Sequence, residues 1–319
     1  SQQDWQIKNS INNQQGEVGA NGDLTLTANS IDNQSGTIKS QTKLALNAKE
    51  QIDNSAGNLV AGNAVNLQAG KSLNNQSGTI NSQQVAVTTD NLNNALGKLI
   101  SQTTLDIVAQ QQVNNANGFI GSGDKLTLAT QNLVNSQQGT VQSETQSNIH
   151  AKEIDNNKGQ LLAGKDILLT TNALYSEKGN VSAKNVNIQA DTINNIEGKI
   201  IGQDKLTIAL NNLLNNTRGK LLTNNTLTVS GQGDIHNQKG ILQSSENSTV
   251  ALENIHNEQG KIVAGQQFTI NSKNKLDNMQ GEINAELLTI TADKLNNQQG
   301  NIIATKDLDI TSRSEEHTS

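Results

Sequence analysis

The sequence predicts an all-β protein folded as a right-handed parallel β-helix, a solenoid of about fifteen coils of 19–21 residues. Three observations predict it. A glycine recurs at a near-constant interval, aliphatic residues hold fixed offsets from that glycine, and one stretch between glycines alternates with a period of two. The glycines are Gly16, Gly36, Gly57, Gly78, Gly97, Gly118, Gly139, Gly159, Gly179, Gly198, Gly219, Gly240, Gly260, Gly281 and Gly300. They span 284 residues, a mean period of about 20.3, within the solenoid range.

Each part of the coil follows in order. Five residues before the glycine stands an aliphatic residue, from Ile11, Ile31 and Ile52 to Leu276 and Leu295, which must face inward. Three before it stands asparagine in thirteen coils: Asn13, Asn33, Asn54, Asn75, Asn94, Asn115, Asn156, Asn195, Asn216, Asn237, Asn257, Asn278 and Asn297. Ser136 and Ser176 take the place in the other two. The Asn-x-x-Gly segment reads as a sharp corner, with glycine supplying positive φ and asparagine bracing the turn. Two after the glycine comes a second inward aliphatic, Val18 to Ile302, and four after it a small residue, such as Ala20, Ser40, Ala61 or Ala304. An alternating pair then follows, as in Leu24-Thr-Leu26, Val65-Asn-Leu67 and Leu308-Asp-Ile310, which is strand periodicity. Where repeats shorten or lengthen, the change falls beside this pair, so insertions belong between strands.

A single coil is too small to fold. Burying about four aliphatics contributes roughly 6–12 kcal/mol, against about 1.5 kcal/mol per residue ordered. Stacking adds main-chain hydrogen bonds and covers the apolar edges. At about 4.8 Å per coil, inward asparagines can pass amide hydrogen bonds along a ladder, and fifteen coils reach about 70 Å. Neither end shows a polar cap, so the ends are expected to fray or associate.

Composition narrows the function. Only 33% of the 319 residues are hydrophobic and four are aromatic, too few for a conventional core, but their regular spacing argues for order. Without cysteine there are no disulfides, thiolate metal sites or thiol nucleophiles. The net charge of −6 with no Lys/Arg block argues against nucleic acid, and no apolar run spans a membrane.

The segments "IDNQSGTIKSQTKLAL", "LNNQSGTINS" and "LNNQQGNIIATKDLDI" resemble the haemagglutinin repeats of filamentous haemagglutinin and related two-partner secretion exoproteins, over about residues 7 to 312. The resemblance implies a β-helical shaft of a secreted or cell-surface bacterial protein. It also implies export through an outer-membrane partner pore and a host-cell or target-bacterium receptor met by parts beyond this segment. Adhesion and contact-dependent growth inhibition with toxin delivery are the implied tasks. The family's Asn-Pro secretion motifs and a toxin-like end are not found, so residues 1–312 read as a shaft segment of a longer protein. The tail "RSEEHTS", 313–319, reads as non-native and is set aside.

Candidate chemistry is sparse, and the reading assigns no catalytic residue, cofactor or metal. His236 and His256 hold the same outward position four before their glycines, with Asp277 next, a set that could ligate a transition metal but reads as a solvated column. Asp32 and Asp53 share that position without a third acid, so calcium binding or a polysaccharide-active enzyme is the weaker reading. Asp23, Asp166 and Asp307 read as turn residues. Ser147 and Ser248 replace the first strand aliphatic and suggest local weakening, while Tyr175 is a lone outward aromatic. The alternative to a shaft is an adhesin whose coil faces bind glycan or matrix directly.

Overall fold

The computed structural model describes residues 2–312. No helix occurs among them, and every strand pairing within each of two compact units, Ser1–Gly164 and Lys165–Ser319, is parallel. Counted along the chain there are about 16 turns, one more than the glycine corners. The difference lies at Gln3–Gln6, which pairs with Leu24 to Thr27 and adds a partial turn ahead of the first corner.

Each coil carries three paired stretches, clearly separated in Asn58–Ala61, Ala64–Ala69 and Ser72–Asn74. Equivalent residues stack. In the first unit Leu24, Leu44, Val65, Val85, Leu105 and Leu126 are successive register partners. In the second, the other aliphatic of the alternating pair stacks in the same way, through Leu169, Ile188, Ile208, Val229, Val250, Ile270 and Ile290. These columns are the core, buried along the length of each unit. Register shifts fall between the stretches, as at Ser82/Gln84 and Thr89/Asn91, which places the length changes where the coil bends.

The alternation runs one step further than the sequence reading took it. Beyond the aliphatic pair a third inward position holds Ala28, Ala48, Ala69 and Ala109, all buried. Most coils place a small side chain there, where the strand turns toward the third stretch, and Thr89 and Thr171 fill it in two. In the second unit Leu210 and Leu252 are buried there, with Gly231 and Ser272 as their register partners.

Two expectations are corrected at the corner. The glycines were expected to supply positive φ, yet the left-handed residue is the one before each, among them Gln15 (φ 55°), Ser35 (55°), Leu96 (59°) and Arg218 (56°). Gly78 N donates to Asn75 O at 3.0 Å, closing a four-residue turn with the φ signature of type II. Glycine is needed for space. A Cβ on Gly78 would sit 2.2 Å from Asn54 O and 2.6 Å from Asn75 Oδ1, so the corner backbone of the coil below excludes any side chain.

The second correction concerns the coil ending at Gly139, where Ser136 was expected at the asparagine position. Asn135, four before the glycine, is the inward residue, and Leu133 rather than Val134 is buried and pairs with Val113. The extra residue changes the turn. Gln137 and Gln138 both have positive φ, and Gly139 N bonds Ser136 O, the pattern of a type I′ turn.

Ser147 and Ser248 are buried and partnered. Ser143 and Ser147 lie Oγ to Oγ at 2.9 Å, and Ser248 Oγ donates to Ser244 Oγ. Two small positions of one coil have thus become polar together, satisfying each other. In the second unit Phe268, the largest fully buried side chain, is the register partner of Ser248, so a large residue stacks on a small one.

Candidate functional site

The most organised polar assembly is inside the corners. Each inward asparagine turns Nδ2 toward the next coil and Oδ1 toward the previous one. The Nδ2···Oδ1 distances are 2.7 Å for Asn13 to Asn33, Asn33 to Asn54, Asn54 to Asn75 and Asn75 to Asn94. The chain of amides continues through Asn94, Asn115, Asn135 and Asn156 at 2.8–2.9 Å. In the second unit it runs Asn195, Asn216, Asn237, Asn257, Asn278 and Asn297, each step 2.7 Å. Most of these Nδ2 groups also approach two carbonyls, as Asn75 does those of Gly78 (3.3 Å) and Lys98 (3.2 Å). Amides are the side chains suited to this place, because each needs one donor and one acceptor aimed along the stack.

Asn195 Oδ1 is buried and has no partner, since the preceding coil carries Ser176 where an amide would donate. A shorter hydroxyl cannot span the step an amide spans.

Outside the corner, the residue next to each inward asparagine forms a second bracing column. Asp32 Oδ1 accepts Gln34 N (3.0 Å), Asp53 Oδ1 accepts Ser55 N (2.9 Å), and Asn74, Asn93, Asn114, Asp155, Asn194 and Asn215 do the same two residues on. This is the Asx turn. Asp32 and Asp53 are register partners, and amides occupy both: Gln14 Nε2 bonds Asp32 Oδ2 at 2.7 Å and Asn74 Nδ2 bonds Asp53 Oδ1 at 3.1 Å. Their carboxylates brace backbone. Asp23 likewise accepts the hydroxyl of Thr42, and Asp166 accepts Asn185 Nδ2 at 2.8 Å.

The exposed faces carry coil-to-coil ion pairs such as Lys71–Glu50 (2.6 Å) and Lys306–Glu286 (2.6 Å), with Glu17 held below its usual carboxylate range by its hydrogen bond and charge contact with Lys39. In the first unit a shallow recess of about 360 Å³ lies beside the third inward position, lined by Asn47, Lys49, Gln68 and Asp90 among others. It brings one carboxylate rather than a pair.

The one group of metal-ligating side chains among the described residues is in the second unit. His236, His256 and Asp277 are register partners in successive coils, and the two imidazoles meet edge to face with centroids 4.9 Å apart. Glu258, two residues along from His256, joins them, its Oε1 3.4 Å from His256 Nδ1. The sequence reading missed Glu258 because it followed one column. The signal was available in the i, i+2 spacing of residues that flank one turn. Burial and the neighbouring His256 hold the His236 pKa below the usual histidine value, against the pull of Asp234 and Glu258. Burial pushes Asp277 up, but the Lys275 hydrogen bond, the Met279 N–H and nearby positive charge outweigh it and leave its carboxyl below the usual range. Tyr175 stands outward at the same column with no second aromatic.

The fold and these corners define a class: a repeat protein whose coils are held in parallel register by main-chain bonds and an internal amide ladder. The haemagglutinin repeat family model matches residues 3–56, 51–132, 104–185, 181–251, 237–278 and 283–314. The chain belongs to the haemagglutinin repeat family. Comparison with curated proteins and with solved structures finds no match.

Proposed function

We propose that this chain is the structural shaft of a secreted or cell-surface bacterial exoprotein, extending adhesive or toxin-delivery modules away from the cell. The observation that supports this most is the continuous parallel register within each unit, where coils are tied to one another by main-chain bonds and, in every step but the one at Ser176 in the second unit, by an inward amide bond. Such a stack resists bending because any opening strands buried polar groups. Export through an outer-membrane partner pore fits a chain whose coils fold one upon the last as they emerge, and the absence of cysteine suits an oxidising exterior. No helix of the described residues is long and apolar enough to cross a membrane. Family membership favours a structural role over catalysis.

The test is made in the parent protein on its cell. Deleting two whole coils, for example residues 37–78, removes reach while keeping the register. A shaft loses adhesion or toxin delivery in proportion to the length removed, and regains it when two other coils are inserted. If substitutions on the outward faces abolish binding while coil deletion leaves it intact, the faces themselves bind and the shaft reading fails.

A further inference from the structure

We propose that His256, Glu258 and Asp277, with His236 beside them, bind a divalent transition-metal ion on the surface of the second unit. One potential ligand atom from each of the first three lies within 4.8 Å of the others, close enough for small side-chain rotations to converge on one ion. Imidazole and carboxylate together suit zinc, nickel or copper rather than calcium, which takes six or more oxygens.

Three further features point the same way. Glu258 Oε2 is buried and has no hydrogen-bond partner, so the carboxylate next to His256 has an oxygen still to be satisfied. His236 and His256 replace the Asx residue that braces the turn in most coils, giving up a backbone hydrogen bond twice in succession to place two imidazoles together. His256 and Glu258 keep 26% and 22% of their side chains exposed, which leaves an ion a route in from solvent.

Lys275 holds the place the ion would take. Its Nζ donates to Asp277 Oδ2 at 2.6 Å, while Oδ1 accepts Met279 N (3.2 Å) and Asn296 Nδ2 (3.0 Å). Two carboxylates and one ammonium leave the cluster one negative charge with neutral imidazoles. A divalent ion displaces the ammonium from Oδ2, and Lys275, 42% exposed, swings into water. Oδ1 keeps its two donors and holds the carboxylate in orientation.

The experiment is calorimetric titration of Zn²⁺ into the full chain in a non-chelating buffer near neutral pH, with Co²⁺ absorbance as a second readout of coordination. Far-UV circular dichroism of each variant checks that the coils persist. His256→Asn and Glu258→Gln are conservative here, because Asn215 and Asn296 stand at the first column and Gln238 and Gln298 at the second. The chain should take one ion with saturable affinity. H256N and E258Q should each weaken it by about tenfold or more, and K275Q should strengthen it several-fold by removing the competitor. His317→Ala, in the terminal segment, should change nothing. Wild-type affinity in H256N, loss of binding in H317A alone, or no saturable binding below about 100 μM would overturn the assignment.

Discussion

Replacing Asn75 by alanine removes one complete rung of the ladder. Asn75 is fully buried; its Nδ2 donates to Asn94 Oδ1 (2.7 Å) and to the carbonyls of Gly78 and Lys98, and its Oδ1 accepts Asn54 Nδ2 (2.7 Å). The two amide bonds contribute about 1 kcal/mol each, and leaving Asn94 Oδ1 buried without its donor costs about 1–3 kcal/mol more. Asn54 Nδ2 loses less, because it keeps the carbonyls of Gly57 and Thr79. The expected loss is therefore about 3–5 kcal/mol. Asn74, the adjacent residue, is the internal control: its side chain bonds Gln76 N, Asn93 and Asp53 on the solvent side, so Asn74→Ala should cost under about 1 kcal/mol. Solenoids open locally, so the assay is native-state hydrogen exchange of the amides in Thr79–Asn93 and Lys98–Asn114, supported by urea denaturation. Equal protection in the two variants would refute the claim that the buried amides, rather than the main-chain ladder alone, hold the coils together.

Other substitutions probe the remaining parts. Gly78→Ala, whose Cβ meets backbone at 2.2 Å, should destabilise the first unit by more than about 3 kcal/mol, whereas Gly19→Ala meets only the flexible Lys39 side chain at 3.3 Å and should be close to neutral; urea midpoints decide between them. Ser176→Asn gives Asn195 Oδ1 a donor and should raise the stability of the second unit by about 1 kcal/mol, read as slower exchange at Asn195 and its neighbours. Ser248→Val overfills the space beside Phe268, and Phe268→Leu relieves it, so the double variant should be more stable than the sum of the singles, with a coupling of about 1 kcal/mol in a double-mutant cycle. His236 has a folded pKa below the unfolded value of about 6.5, so the unfolded chain binds the proton more readily and stability, complete above that pH, falls as pH drops toward the folded value. His236→Asn should flatten this slope between neutral pH and about pH 5, measured as the denaturation midpoint of the second unit; an unchanged slope would remove His236 as its cause.

Period, strand positions and inward columns were legible in the sequence because each coil repeats the same packing problem: an aliphatic at a fixed offset, as at Ile31, Ile52 and Leu73, is buried in nearly every coil, Val134 and Leu295 excepted. The asparagine column was legible for the same reason. A buried polar residue recurring once per coil meets its own kind directly above and below. What tertiary structure alone decided were matters of contact between coils. The need for glycine at Gly78 lies in the carbonyl of Asn54, in the preceding coil, and local turn chemistry pointed instead to the φ of the glycine itself. Asn135 rather than Ser136 takes the inward place because Leu133 is the residue paired with Val113, and the turn absorbs the extra residue by changing type. Glu258 came to His256 and Asp277 because turn geometry brings two columns together that the linear repeat keeps apart. Sequence periodicity determined which residues face inward, since burial repeats with the coil; stacking determined which of them touch, since contact depends on the neighbour's register and shape.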